Sequence, residues 1–367
     1  MTKGLFLAST GKDIGKTTLS LGLLAGLRER GFSISYMKPL GQIHVRIEDR
    51  LIDKDAVLLK SHFHLSSPLS SMSPVIVPKD FTKDFLDEKI HTETLMKQLL
   101  LAYRDLTVQE TVLLAEGSGH VGVGSLLGLD NARIAKLLQL PIVLLAYGGL
   151  GSSFDEIALN KALCDAHGVP VLGVILNQVK EDKIPMIQSY MKKALQRWHI
   201  PLLGSIPFTQ LLHTPSFHDL AFLLGGKLLS KEGLQLQHFE QIKLLTGSPH
   251  LHRDTLQSGQ LLIITAAEED LILATLAKQR KSSLQLGMML TGPLPPRHFL
   301  QEELSKSTMQ FLYTPLPSDE VLEKIHSFTA KIQKEDQEKI ALAIALTQKH
   351  IDFDQLLSAL HLQPRRE

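Results

Sequence analysis

Ser9-Thr10-Gly11-Lys12-Asp13-Ile14-Gly15-Lys16-Thr17-Thr18 lies between an apolar run, Gly4 to Ala8, and a stretch carrying Leu19, Leu21, Leu23, Leu24 and Leu27. This is a phosphate-binding loop in its required strand-loop-helix setting. Gly15 lets the backbone approach phosphates closely, so that amide N–H groups and the positive helix N-terminus face the anion. Lys16 supplies a point charge to the outer phosphates, and the Thr17 hydroxyl is placed to ligate Mg2+. An Mg-ATP ligand is therefore expected against Gly11, Lys12, Asp13, Ile14, Gly15, Lys16, Thr17 and Thr18. The strict spacing wants glycine at position 10, where Thr10 stands. A glycine turn before a helix would account for Gly15, but not for Gly-Lys-Thr-Thr at the mouth of a strand.

Working outward from the loop, short apolar runs alternate with longer amphipathic ones over the first two hundred residues, which predicts a mostly parallel sheet covered by helices. The expected strands are Gly4 to Ala8, Ser33 to Met37, Thr111 to Ala115, Ile142 to Tyr147, Val171 to Leu176 and Leu202 to Ile206. Runs such as VLLA, IVLLA and VLGVIL are continuous rather than alternating, as strands buried on both faces require. Helices are expected at Lys16 to Arg30, Asn131 to Gln139, Phe154 to His167 and Ile184 to Trp198. The serine- and proline-rich segment Ile43 to Phe85 reads as a short helix near Asp55 to His62 followed by an extended loop. A boundary near Pro215 divides an α/β, doubly wound first domain (1–214) from a smaller α/β domain (215–367). The second carries strands at Leu261 to Thr265, Gly287 to Leu290 and Gln310 to Tyr313, a helix at Glu268 to Gln279 and a helical, charged tail.

At 367 residues the chain exceeds the size at which single cores stop growing, so its length suggests two domains, or three small ones. Lys plus Arg (39) nearly balances Asp plus Glu (38), and no long basic run appears. That leaves no electrostatic footprint for nucleic acid or an anionic membrane. The longest apolar run, Leu140 to Leu150, is broken by Pro141, Gly148 and Gly149 and is too short to span a bilayer. The N-terminus reads as strand and glycine loop rather than as a secretory signal, and a cytoplasmic location is expected. Cys164, the single cysteine, sits in a helical segment and reads as buried and inert.

Three further segments fall at strand or helix ends. Ser35-Tyr36-Met37-Lys38-Pro39 closes the second strand, Asp53-Lys54-Asp55 opens a helix, and Leu114-Ala115-Glu116-Gly117-Ser118-Gly119 closes the third. In an open parallel sheet such ends converge at the carboxyl edge, where ligands bind. With the loop, they resemble dethiobiotin synthetase. A closer resemblance is to the dethiobiotin-synthetase-like N-terminal region of long phosphate acetyltransferases and their free-standing relatives. It rests on Glu116 through Ser125, Asn131-Ala132, Gly148-Gly149-Leu150-Gly151 and Asp155 through Ala162. The second half is similar to the DRTGG domain, through Gly259 to Thr265 and Leu290-Thr291-Gly292, and the tail Ile351 to Leu357 resembles the end of the free-standing proteins. Four positions depart from the pattern: Ser9 stands for Gly, Pro293 for a second Gly, and Ala267-Glu268 for Asp-Arg. The acetyltransferase domain of the long proteins would need a further stretch beyond Glu367, so no acetyltransferase activity is expected.

The resemblance implies that Asp55 and Glu116 join Thr17 around Mg2+, and that Lys16, Lys38 and Glu116 act in catalysis. For Asp55 the alternative is helix capping. Glu116, straight after a buried apolar run, is costly unless paired or metal-linked. Lys38 either holds a carboxylate or carbamate that attacks the γ-phosphate, or pairs with Glu116. Asn177 either reads the nucleotide base, as the resemblance implies, or forms a turn. His62-Phe63-His64 and His250-Leu251-His252 lack a third ligand at metal spacing. His120 belongs to a glycine-rich loop expected to face the phosphates. The resemblance leaves two functions: a nucleotide-dependent regulator or sensor, and a ligase that phosphorylates a carbamate or carboxylate. A nucleotide, a small-molecule effector or substrate, and a second copy in a homodimer are the partners implied.

Overall fold

The computed structural model describes residues 3–108, 111–229, 237–252, 255–282 and 284–363. It divides into two units: Met1–Phe208 together with Ile332–Glu367, and Thr209–Lys331.

The first unit is built on six parallel strands: β1 (Gly4–Ser9), β2 (Ile34–Met37), β3 (Val112–His120), β4 (Ile142–Tyr147), β5 (Val171–Val179) and β6 (Leu202–Pro207). Their order in the sheet is β6-β5-β4-β1-β3-β2. The chain moves from β1 outward to β2, returns to β3, then crosses to β4 on the other side of β1. The phosphate loop thus leaves the sheet at the point where strand order reverses, the ligand position of doubly wound folds. Residues 5–8 of β1 and 142–146 of β4 are fully buried, which is why their sequences run apolar without alternation. Its longer helices between the strands are α1 (Lys16–Glu29), α2 (Lys54–Phe63), α3 (Thr92–Leu106), α4 (Asn131–Leu137), α5 (Gly151–His167) and α6 (Ile184–Leu195). The serine- and proline-rich segment opens on a small hairpin, His44–Ile47 with Arg50–Asp53, before α2, and the part expected as an extended loop carries a one-turn helix, Leu69–Met72, and a short helix, Phe81–Leu86.

The second unit has its own sheet. It contains α7 (Phe217–Leu223), β7 (Lys227–Leu228), β8 (Gln241–Leu244), β9 (Gln260–Thr265), α8 (Glu269–Ser282), β10 (Leu286–Thr291), α9 (His298–Ser305), β11 (Gln310–Thr314) and α10 (Ser318–Ser327). The strands run β7-β11-β10-β9-β8, parallel except for β7 against β11. One face buries Leu262, Ile264, Met288 and Phe311 under α8 and α9. The other buries Ile263, Met289 and Leu312 beneath Phe217, Val321 and Ile325.

The tail corrects the expected boundary. α11 (Gln337–His350) and α12 (Phe353–Ala359) return to the first unit instead of staying with residues 215–331. Their seat is a groove along α1 made by Gly22 and Gly26. A Cβ at Gly22 would overlap Thr347, and one at Gly26 would overlap the Phe353 ring. Arg30 places its guanidinium 4.2 Å above that ring, and the Asp352 N–H donates to the Leu203 carbonyl at 2.8 Å. Ile351 extends the contact as an antiparallel bridge to Gly204. Nothing local in a charged amphipathic tail reveals which distant glycines it will cover. No helix among the described residues is long and apolar enough to cross a membrane.

Candidate nucleotide site

At the loop, Gly15 takes φ 96°, a left-handed conformation that side chains resist, and no side chain caps the helix it begins. The first-turn amides of α1 have no intrahelical acceptor and no side-chain cap at Gly15. Asn177, near the end of β5, donates its amide to the Ile14 carbonyl at 2.7 Å, and Gln178 donates to the Asp13 carbonyl at 3.3 Å. A side chain at Gly15 would run into Asn177. One amide hydrogen of the side chain expected at a nucleotide base thus helps to shape the loop. Gly11, Thr17 and Thr18 are half-buried, Lys12 and Asp13 are exposed, and Ile14 anchors the loop in the core.

Lys16 is buried, and its ammonium donates to Ser9 Oγ at 2.8 Å and to the Gly119 carbonyl at 2.9 Å. Burial, followed by the neighbouring charge of Lys38, pulls its pKa down to about 8, against Glu116, Asp55 and Asp13. Ser9 Oγ lies within hydrogen-bonding distance of the Gly11 and Gly119 carbonyls, at 2.7 and 2.8 Å, and can donate its one hydrogen to either. The hydroxyl that departs from the dethiobiotin synthetase pattern therefore ties the phosphate loop to the glycine loop.

The charged centre lies beside it. Lys38 follows β2, and its ammonium donates to Asp55 Oδ2 at 2.7 Å and to Glu116 Oε1 at 2.6 Å. Burial alone would lower its pKa, but Asp55 and then Glu116 outweigh burial and carry it above the ordinary lysine range. Asp55 stands in the first turn of α2, whose N-cap is Asp53. Asp53 accepts the Asp55 N–H at 2.9 Å. Burial, then the charge of Asp55, pushes the Asp53 carboxyl up to about 7. Glu116 is wholly buried at the register position opposite Leu7. Its Oε1 also accepts from Thr17 Oγ1 at 3.3 Å, while its Oε2 accepts from Ser20 Oγ at 2.7 Å and Tyr36 OH at 3.0 Å. Beyond Glu116 the β1–β3 register slips, and the chain bulges into the glycine loop.

That loop is held from behind. Asn131 donates to the Ser118 and His120 carbonyls, and Asn160 accepts the Val121 N–H while donating to the Thr10 carbonyl. Thr10 donates to Glu156 at 3.1 Å, so α5 joins the phosphate loop to the glycine loop. His120 is exposed, with Nδ1 accepting the Gly122 N–H at 3.1 Å.

The structure thus brings Lys16, Thr17, Lys38, Asp55 and Glu116 together and sets Asn177 beneath the loop. Thr17, Asp55 and Glu116 offer hard oxygens of the kind Mg2+ takes from a protein when phosphates and water complete its shell. Among the described residues no group of three or more His, Cys, Asp or Glu side chains is arranged to hold a metal alone, the histidine pairs included. Sequence reasoning missed Ser20 and Tyr36. Both had a periodic signal: Tyr36 shares a strand face with Lys38, and Ser20 lies one helical turn beyond Lys16 and Thr17.

A family model described as AAA domain matches residues 3–216. The chain is 26% identical to a phosphate acetyltransferase of Synechocystis sp. over 373 residues, covering 98% of this chain and 52% of that protein. It is 28% identical to the ATP-dependent dethiobiotin synthetase BioD of Bacillus cereus over 206 residues, covering 56% of this chain and 83% of that protein. The chain spans about half the length of the phosphate acetyltransferases it matches. Among solved structures, the MinC:MinD cell division protein complex of Aquifex aeolicus matches at a TM-score of 0.36 and 13% identity, covering 57% of this chain and 84% of that one. The CBS and DRTGG domains of the regulatory region of Clostridium perfringens pyrophosphatase match at a TM-score of 0.25 and 11% identity, covering 48% and 87%.

Proposed function

Because the chain belongs to the AAA domain family through residues 3–216, we propose that it binds Mg-ATP, hydrolyses it slowly, and serves as a nucleotide-dependent regulator or sensor related to the control half of phosphate acetyltransferases. The observation that supports this most is the convergence of Lys38, Asp55, Glu116 and Thr17 beside the phosphate loop. In this reading Lys16 meets the outer phosphates, and Thr17, Asp55 and Glu116 hold the metal directly or through water. When bound, Mg2+ would neutralise charge on the phosphate oxygens. Lys38, between two carboxylates, is a fixed cation beside them. The likeness to phosphate acetyltransferases runs through the second unit as well as the first, which favours regulation.

A second reading, an ATP-dependent ligase acting on a carbamate or carboxylate, is favoured by the likeness of the first unit to dethiobiotin synthetase. A ligase must seat an acceptor in line with the γ-phosphate, and Lys38 would hold it. The two readings separate in one experiment. Mg-ATP at about 100 times its Kd should stabilise the protein by about 2.7 kcal/mol, and Lys16→Ala should abolish that gain while leaving the fold. Phosphate release should be slow and insensitive to diaminopelargonic acid with bicarbonate. Dethiobiotin formed in proportion to ATP consumed would establish the ligase instead, and equal ATP shifts in both proteins would remove the nucleotide assignment. The reading includes a cytoplasmic homodimer, which light scattering of the purified protein would check.

A further inference from the structure

Glu116 has four donors, and they divide cleanly between its two oxygens. Thr17 and Lys38 approach Oε1 from the side of the phosphate loop. Ser20, within α1, and Tyr36, within β2, approach Oε2 at 2.7 and 3.0 Å. All of Ser20, Tyr36 and Glu116 is removed from solvent, each at 0% exposure. A buried phenol needs an acceptor, but that need does not choose which one. Here both neutral donors choose the same oxygen of Glu116.

We infer that Tyr36 and Ser20 are positioning residues that withdraw Oε2 of Glu116 from the site and leave it a one-oxygen ligand, setting a preference for small octahedral cations over Ca2+. This rests on the metal-nucleotide reading above. The physical reason is coordination number. Ca2+ takes six to eight oxygens and readily accepts both oxygens of one carboxylate, whereas Mg2+ and similar small cations demand near-octahedral geometry with single oxygens. A carboxylate whose second oxygen is saturated by two fixed donors cannot swing to chelate. Partners of this kind, hydrogen-bonded to a ligand rather than to the metal, are commonly worth about 10–100-fold in metal affinity.

The test uses the full-length protein with ATP, Mn2+ as a paramagnetic probe and Ca2+ as competitor. Free Mn2+ is read by electron paramagnetic resonance, and ATP affinity in excess chelator serves as the control for folding. Tyr36→Phe and Ser20→Ala keep volume and secondary structure while each deletes one donor. Each should weaken Mn2+ binding to the nucleotide complex about tenfold, leave chelator-measured ATP affinity unchanged, and narrow the Mn2+ to Ca2+ preference. The double variant should narrow it further. Wild-type protein that loads Mn2+ alongside variants with the same Mn2+ affinity and the same preference would overturn the inference alone. Wild-type protein that binds ATP but never Mn2+ would overturn it together with the metal reading.

Discussion

Replacing Lys38 with methionine keeps most of the side chain's volume and removes its charge. Two carboxylates then face each other across the space the ammonium filled, Asp55 and the fully buried Glu116. Removing one partner of a buried ion pair generally costs about 3–5 kcal/mol, because the remaining charge is stranded in a medium that solvates it poorly. A unit of this size loses about 2–4 °C of Tm per kcal/mol, so the variant should melt about 6–20 °C below wild type near neutral pH. The deficit should respond to cations. With the ammonium gone, the oxygens of Asp55, Glu116 and Thr17 are open to Mg2+ without nucleotide, and a metal at 100 times its Kd would return about 2.7 kcal/mol. Acid should shrink the deficit too, by neutralising the stranded carboxylates. Wild type should show neither response from this group. Its pKa is raised above the ordinary lysine value of 10.5, so its stabilisation is complete below that pH and lost only above it. Differential scanning calorimetry with and without excess Mg2+, at two pH values, measures all of this. A Lys38→Met protein as stable as wild type, or one whose deficit ignores both metal and acid, would refute the electrostatic account of the site.

Lys16 has its pKa lowered to about 8, by burial first and the Lys38 charge second, so its ammonium is lost as pH rises through that value. ATP affinity by titration calorimetry should weaken across it, and a flat profile would show that Lys16 does not meet phosphate. Asp53 has a folded pKa of about 7 against an ordinary 3.8. The folded state therefore holds its proton more tightly, and stability from this group falls as pH rises between those values. Asp53→Asn keeps a cap for α2 and cannot ionise, so it should gain about 1–3 kcal/mol on wild type across that window in urea titrations; a gap that stays constant sinks the idea. Gly26→Ala should destabilise by about 1–3 kcal/mol through overpacking against Phe353, although alanine exceeds glycine by about 1 kcal/mol in helix propensity. In a Phe353→Ala background the same change should become neutral or stabilising, and additive effects would show that the ring is not what α1 meets.

The central sheet and the phosphate loop were legible because their signals are local. β4 was bounded at Ile142 and Tyr147 because a strand buried on both faces must be apolar at consecutive positions. Lys38, Asp55 and Glu116 could be grouped because parallel strands bring their carboxyl ends to one edge. α3 was not assigned, although Leu95, Leu99, Ala102 and Leu106 repeat at helical spacing along its buried face. The preceding run of serine and proline drew the reading toward loop. Asn177 lies within β5, two residues before its end, and its amide also serves the loop backbone, which the local sequence does not reveal. Whether an amide faces ligand or backbone depends on a loop 163 positions earlier in sequence. Ser20 and Tyr36 were passed over as ordinary members of a helix and a strand, since only the packed structure shows two donors meeting one oxygen.

The returning tail follows a different logic, and it bears on how the two units can be separated. α1 begins with Lys16 and Thr17, and its Gly22 and Gly26 are covered by Thr347 and Phe353. The helix that presents the phosphate site is therefore completed by residues that follow the second unit in sequence. Apolar surface left open on α1 would cost about 25 cal/mol per Å2, and loss of a buried aromatic such as Phe353 costs about 3–5 kcal/mol, a large share of a typical stability. A cut at 215, natural from sequence alone, removes that cover along with the second sheet. Loss of ATP binding after such a cut would report an unclosed first unit, not a nucleotide site shared with the second. Only a deletion confined to 209–331, retaining 332–363, can ask what the second unit contributes.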